Sequence, residues 1–442
     1  MDERRMSFRK VLYGATKGLL VAAALLGLAE GLLLFFAVRK EKRVETRWAA
    51  SRAGSLEKLY AQMPRTRTNA SAKALEEAAV ALGAARREPD GRLTNTPLPA
   101  GANEYVLAES QKPAGSVAPP PEALAAFLRD HAADLDSVRR TLSAGPAPVW
   151  DSIPEELYRA PLPALIPVLN LQRLLAADAL AALAGADATR ALADAEAGWA
   201  LNQVTLARPE LICKLTGLAT IRIWAGVLRK MPAIPEAWPA RLKAFDPWEH
   251  LRQACRCEAT FLYMLGQRGG VEILDAKVLE GGFLDALAGP YVRLCLADTA
   301  GRLLEMVEAF EARGRCGGPY ETVGLDAEKA IPSWNVVGRV ALPNLADAWA
   351  RADRLGLDLE LTERALQIKG LRTAEGGWPA SAPQGFEKSL CPKARWTFAT
   401  QGGGFTIVLE NGPEFPEKAT WATLPLRYEE PAPLKTAATR GQ

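Results

Sequence analysis

The residues of this 442-residue chain equipped for chemistry are two histidines, six cysteines and a spread of carboxylates. Histidine is the usual general base near neutral pH and the commonest metal ligand. His131 lies in FLRDHAADL and His250 in WEHLRQACRCEA, both helical patterns without HExxH or a neighbouring histidine. They read as packed or surface helix positions, which argues against histidine triads and multi-histidine zinc sites. Cys213, Cys255, Cys257, Cys295, Cys316 and Cys391 lack the two close pairs of a zinc ribbon. Cys255 and Cys257 are two apart on a helix, so their side chains point about 200° apart and make a poor chelate. Cys213 and Cys295 read as small buried hydrophobes. Cys316 in RCGGPY and Cys391 in SLCPKA sit in Gly- and Pro-bearing loops. They are a candidate disulfide if their compartment is oxidising.

Other motifs are thin. Ser55 and Lys58 match the SxxK pattern of serine acyl-transfer enzymes, but SDN and KTG partners are missing. Asp358, Glu360 and Glu363 cluster in DLELTE at spacings that do not share one helix face, and they read as a solvated surface. Neither GxxxxGK[ST] nor GxGxxG occurs, and QGGGF reads as a turn between strands. These patterns assign no catalytic residue, cofactor or metal. One junction, WNVVGRVALPN, mixes apolar residues with Asn335, Arg339 and Asn344. Buried polar groups need partners and often line a groove, so these three are interaction candidates. The plainer reading makes Asn344 the cap of the helix that follows Pro343.

The strongest positional signal is Gly18–Val38, GLLVAAALLGLAEGLLLFFAV, which carries one charge, Glu30. At helical rise such a run spans about 30 Å, a bilayer's hydrocarbon thickness, and it predicts a single-pass transmembrane helix. A cleavable signal peptide has a shorter apolar core ending in small residues, whereas Leu32, Leu33, Leu34, Phe35 and Phe36 stand here. Arg4, Arg5, Arg9, Lys10 and Lys17 precede the span, and Arg39, Lys40, Lys42, Arg43 and Arg47 follow it. The basic flanks balance, so orientation rests on the short basic start preceding a long remainder, which favours the C-terminal part outside. Glu30 is an interaction candidate because a charge inside a span is costly; the plainer reading has its long side chain reach the interface or take a proton in place, and the functional one is helix–helix association in the membrane.

The first 47 residues hold ten of the 54 basic and five of the 51 acidic residues, so the remainder is near neutral. With no basic patch beyond the membrane flank, a nucleic-acid partner is unsupported. At 49% hydrophobic residues the chain has the material for two or three cores. Residues 1–17 form a basic tail and 39–87 membrane-proximal helices. Residues 88–121, with PDG, PLPAG, QKPAG and three consecutive prolines, read as a Pro-rich linker or loosely held excursion. Residues 122–313 show apolar residues three and four apart, bounded by Gly, Pro or Asp, which predicts stacked helical hairpins. Gly185–Asp187 is one hairpin turn. Residues 314–344 form an irregular junction. Residues 345–430 hold a long helix, then alternating strands around Gly402–Gly404 and a third strand in TLPLRYEE. The tail 431–442 reads as disordered. The expected fold is mainly α, with a small C-terminal antiparallel β element.

The segment ADALAALAGADATRALADAEAGWAL resembles a single tetratricopeptide hairpin, without a sustained 34-residue repeat. The long helix, GGWP and cysteine-led sheet of residues 345–430 look like the soluble ends of type II secretion pseudopilins. A pseudopilin, however, places that helix directly after its membrane segment. LQRLLAADAL, RPELICKL, WNVVGRVALPNL and LELTERALQIK resemble a group of membrane-anchored helical proteins of bacteria. That likeness carries no role to any residue; with the orientation argued above, the expected location is the bacterial inner membrane with the C-terminal part in the periplasm. The expected function is a non-enzymatic scaffold held in the lipid bilayer through Gly18–Val38 and binding a protein partner. The competing expectations are an envelope hydrolase or transferase using carboxylates, and an assembly component of a secretion or pilus-like machine.

Overall fold

The computed structural model describes residues 2–50, 56–152, 165–268, 283–318, 331–341, 345–373, 377–415 and 426–432. Ser55, Asn344 and residues 433–442 of the C-terminal tail lie outside them. The chain runs through α1 (Asp2–Ala50), α2 (Leu56–Gln62), α3 (Ala70–Ala81), α4 (Ala102–Gln111), α5 (Glu122–Asp130), α6 (Ala132–Ala144) and α7 (Leu165–Ala184). Then come α8 (Ala188–Ala207), α9 (Leu211–Lys230), α10 (Ala237–Ala244), α11 (Pro247–Gln267), α12 (Phe283–Arg313), α13 (Val336–Ala341) and α14 (Leu345–Gly370). Strands β1 (Ala85–Arg87) and β2 (Leu93–Asn95) make a hairpin. Strands β3 (Arg395–Gln401), β4 (Gly404–Glu410) and β5 (Arg427–Glu430) make an antiparallel sheet in that order. The fold is therefore mainly α with a small C-terminal sheet.

Two compact units divide these elements: 1–62, 255–309 and 325–344 form the first, and 63–254, 310–324 and 345–442 the second. This differs from cuts at 88, 122, 314 and 345. Helical periodicity reports which face of a helix is apolar but not which distant helix covers it.

In the first unit, α1 changes character along its length. Leu25, Leu28, Leu32, Phe35, Phe36 and Val38 stand exposed, Leu25 and Leu28 at 61%. From there Ala37, Glu41, Val44 and Trp48 are buried, and their spacing of four, three and four traces one stripe. That stripe lies along α12, which runs parallel to it. Lys40 pairs with Asp298 at 2.5 Å, Glu41 with Arg293 at 2.6 Å, and Arg47 with Glu305 at 3.1 Å. The end of α11 packs antiparallel, with the Tyr263 hydroxyl donating to Glu45 and Phe261 meeting Tyr60 edge-on.

In the second unit, α7 and α8 form the hairpin the sequence predicts. Ala186 takes a left-handed conformation (φ 60°), and the Asp187 carboxylate caps α8 by accepting from the Arg190 amide at 3.0 Å. Helices α8 and α9 approach closely because Gly198 has no side chain: a Cβ there would lie 2.0 Å from the Trp224 ring. Trp224 is buried and donates from Nε1 to Gln172. The sheet pairs Trp396 with Leu409 and Ile407 with Tyr428. Its inner face, Trp396, Phe405, Ile407 and Tyr428, packs on Leu357, Leu361, Ala365 and Ile368 of α14. Gly402 and Gly403, at φ 59° and 82°, close the β3–β4 turn.

Residues 88–121 are not a free linker. β2 pairs with β1, and α4 buries Tyr105, Val106 and Glu109. The Gly115 amide donates to the Glu429 carbonyl at 2.7 Å, and the Glu429 amide donates to the Pro113 carbonyl at 3.0 Å. A chain poor in large apolar residues is held here by its own backbone groups, which composition does not register.

Candidate functional site

Among the sequence candidates, Asn335 occupies the most constrained position. It is fully buried in the first unit beside Asp298. Its Nδ2 donates to Asp298 Oδ2 at 2.9 Å and to Thr299 Oγ1 at 3.2 Å, while its Oδ1 accepts from the Gly338 amide at 2.7 Å. The last bond caps α13. Asp298 gathers three donors: Lys40, Asn335 and Arg302, the last at 2.9 Å. Burial pushes the Asp298 carboxyl up, but those donors overcome it and leave it below the usual carboxylate range. Arg339 is exposed and Asn344 falls outside the described residues, so the structure does not bring the three together. Glu30 is half-buried, on the face that continues as Ala37 and Val44. Asn335→Ala should cost the first unit about 2 kcal/mol, from a lost cap and a lost hydrogen bond to a buried charge. Denaturant unfolding of the purified chain checks this; an unchanged midpoint would show that Asp298 does not need the amide.

Among the described residues of the second unit, three buried polar clusters stand where the sequence reading placed no interior polar group. In the first, Asp178 of α7 and Asp194 of α8 are wholly buried and meet each other. Arg139 reaches both, donating from Nε to Asp194 Oδ1 at 2.7 Å, and Arg190 donates to Asp178 at 2.9 Å. Asp194 Oδ2 is buried with no hydrogen-bond donor on it. A proton on that oxygen, donated toward Asp178, resolves both the orphaned atom and the like-charge contact. Burial, and then the Asp178 charge, drive the Asp194 carboxyl well above its usual range despite Arg139. A raised folded pKa contributes stability that is complete below the unfolded carboxylate value and is lost as pH climbs through the folded value. Asp194→Asn should therefore melt with a flatter profile than the parent as pH climbs above the unfolded carboxylate value of about 4. Parallel profiles would remove the shared proton.

The second cluster surrounds Asp358 of α14. Its Oδ2 lies 3.3 Å from Arg222 Nε and 3.4 Å from Arg354 Nε. Arg229 donates to the Asp358 carbonyl at 3.0 Å and to Thr362 at 2.9 Å. Glu360 accepts from the Leu390 amide at 2.8 Å and from Trp396 Nε1 at 2.9 Å. DLELTE is thus not a solvated face. The third cluster ends α9. Lys230 Nζ donates to the Ala114 carbonyl at 2.6 Å, and Lys369 Nζ donates to the Arg229 and Met231 carbonyls at 2.8 and 3.0 Å. Burial brings Lys230 down to about 8, a range in which an amine can act as a base. Buried against carbonyl oxygens, it instead fastens residues 112–116 to α9.

Carboxylate catalysis needs two groups about 5–9 Å apart across a cleft that admits substrate. The pair that does meet, Asp178 and Asp194, has no exposure at all. A recess of about 450 Å³ is lined by Arg354, Glu414, Phe415 and Leu426 among others, with Glu414 the one carboxylate among its described lining residues. Among the described residues no group of three or more His, Cys, Asp or Glu is placed to hold a metal ion. His131 pairs with Asp134 at 3.0 Å, and His250 tilts against Phe245. Cys316 and Cys391 are joined by a disulfide, their Cα atoms 5.4 Å apart. Compared with protein-family models, with curated proteins and with solved structures, the chain has no match.

Proposed function

We propose that this chain is a membrane-tethered helical scaffold of the bacterial inner membrane that presents a protein-binding surface on the periplasmic side. The carrying observation is the double character of α1. Among the described residues, Leu25, Leu28, Leu32, Phe35, Phe36 and Val38 stand exposed along the apolar segment, and the same unbroken helix becomes core at Ala37, Val44 and Trp48. In water that exposed surface would be costly; in lipid it is matched. A signal sequence would have to be cut from a helix whose next turns are built into the first unit. The Cys316–Cys391 disulfide favours an oxidising compartment for the second unit. Buried, ion-paired carboxylates support a structural role over an envelope hydrolase.

Alkaline carbonate extraction together with C-terminal topology fusions tests the tether. The full-length chain should remain in the membrane pellet, and a C-terminal alkaline phosphatase fusion should be active. A soluble mature chain lacking its first forty or so residues would overturn the reading. Crosslinking in intact membranes, followed by purification of the chain, tests for the partner; Glu30→Leu should reduce capture if that carboxylate mediates association between spans.

A further inference from the structure

We propose that the first unit makes a second contact with the bilayer, through Trp334, Val336 and Arg339 seated in the headgroup layer beside the exit of α1. This inference rests on the tether reading. Two exposed apolar side chains, Trp334 at 38% and Val336 at 57%, flank the fully buried Asn335. Arg339, one turn along α13 from Val336, is exposed with them.

Their height relative to the lipid follows from hydrogen bonds within this unit. Asn335 and Lys40 hold the same Asp298 carboxylate, and Lys40 lies two residues beyond the apolar run. The Tyr291 hydroxyl donates to the Trp334 carbonyl at 2.5 Å. Helices α1 and α12 are parallel, and facing partners nearest this end differ in number by 252 for Glu41–Arg293 and 258 for Lys40–Asp298. With equal rise on both helices, Tyr291 is level with about residues 33–39 of α1. Trp334 and Tyr291 therefore stand where the apolar segment ends, the depth at which amphipathic aromatic rings collect in membrane proteins.

The charges fit the same surface. Arg39, Lys42 and Arg43 are exposed on α1 just above, and Arg339 adds a fourth cation with a stem long enough to reach lipid phosphates. The exposed set thus pairs aromatic and aliphatic groups with cations, which suits an anionic lipid interface. A protein partner is the rival occupant. The contact would seat the first unit on the membrane, so that the single span does not act as a swivel.

Spin labels on single added cysteines in the full chain, reconstituted in phosphatidylethanolamine and phosphatidylglycerol vesicles, test the seat. Accessibility to lipid-soluble oxygen is compared with accessibility to an aqueous nickel chelate, and the unsubstituted chain, treated identically, gives the background. Val38→Cys reports the span, and Ala309→Cys reports water. Val336→Cys should shift toward oxygen, between the two references. A Val336→Cys label matching Ala309→Cys, while Val38→Cys reads as lipid, overturns the seat and leaves the tether standing. A Val38→Cys label that reads as water overturns both.

Discussion

Opening the Cys316–Cys391 disulfide should cost the second unit about 4 kcal/mol of unfolding free energy, the chain-entropy value for a loop of this size. The two cysteines are 75 residues apart, so the bond removes a large freedom from the unfolded chain. In the folded chain its ends are held independently. The Cys316 amide donates to Asp353 at 2.9 Å, and the Cys391 amide donates to Ser389 at 3.2 Å. The reduced protein should therefore keep its native contacts and lose stability mainly through the denatured ensemble. Thermal unfolding with and without reductant, alongside Cys391→Ser, gives the measurement. Native-state alkylation supplies the control: Cys213 and Cys255 are buried and pushed up to about 12 by that burial, so reduction should add two reactive thiols. A melting curve indifferent to reductant would mean that the bond closes no loop that matters.

Much of the architecture is legible in the residues, for identifiable reasons. The apolar run of α1, the Gly185–Asp187 turn, the glycines at 402 and 403 and the alternation in β3 and β4 are local signals. Each is written in residues adjacent to the feature it specifies. What escaped the pattern is non-local. Pro113 and Gly115 looked like linker because their partners, the backbone groups of Glu429, come more than three hundred residues later. Asp178 and Asp194 are ordinary acids on alanine-rich helices, and only the approach of α7, α8 and Arg139 makes them a buried pair. Of the junction residues, Asn335 proved central to a polar hub, a role that required knowing where Asp298 and Lys40 meet. The division into two units is also hidden, since α11 and α12 each contribute to both without a break in sequence.

Asp358 shows the same blindness with the largest consequence. On spacing alone it belongs with Glu360 and Glu363 on a wet surface, yet it is 4% exposed and shared by Arg222 and Arg354. Asp358→Asn should destabilise the second unit by about 3–5 kcal/mol, because the neighbouring guanidinium groups lose the carboxylate that justifies their burial. Arg229 would keep Thr362 and the residue-358 carbonyl, so its geometry need not collapse while its charge becomes uncompensated. The comparison is Glu429→Gln at the Arg427 pair, where both side chains are about half exposed and the expected loss is at most about 1 kcal/mol. Acidity separates the charge from the packing. Burial alone would raise the Asp358 carboxyl, but Arg354, Arg222 and Arg229 together hold it below its usual value. A depressed folded pKa gives stability that is present above the unfolded value, about pH 4, and disappears as pH falls through the folded one. The parent should thus lose this contribution only in strong acid, whereas Asp358→Asn should already lack it at neutral pH and show a shallower acid limb. Equal stability of variant and parent at neutral pH would mean that the arginines of α9 and α14 are satisfied without Asp358. The carboxylate would then be incidental to the contact between those two helices.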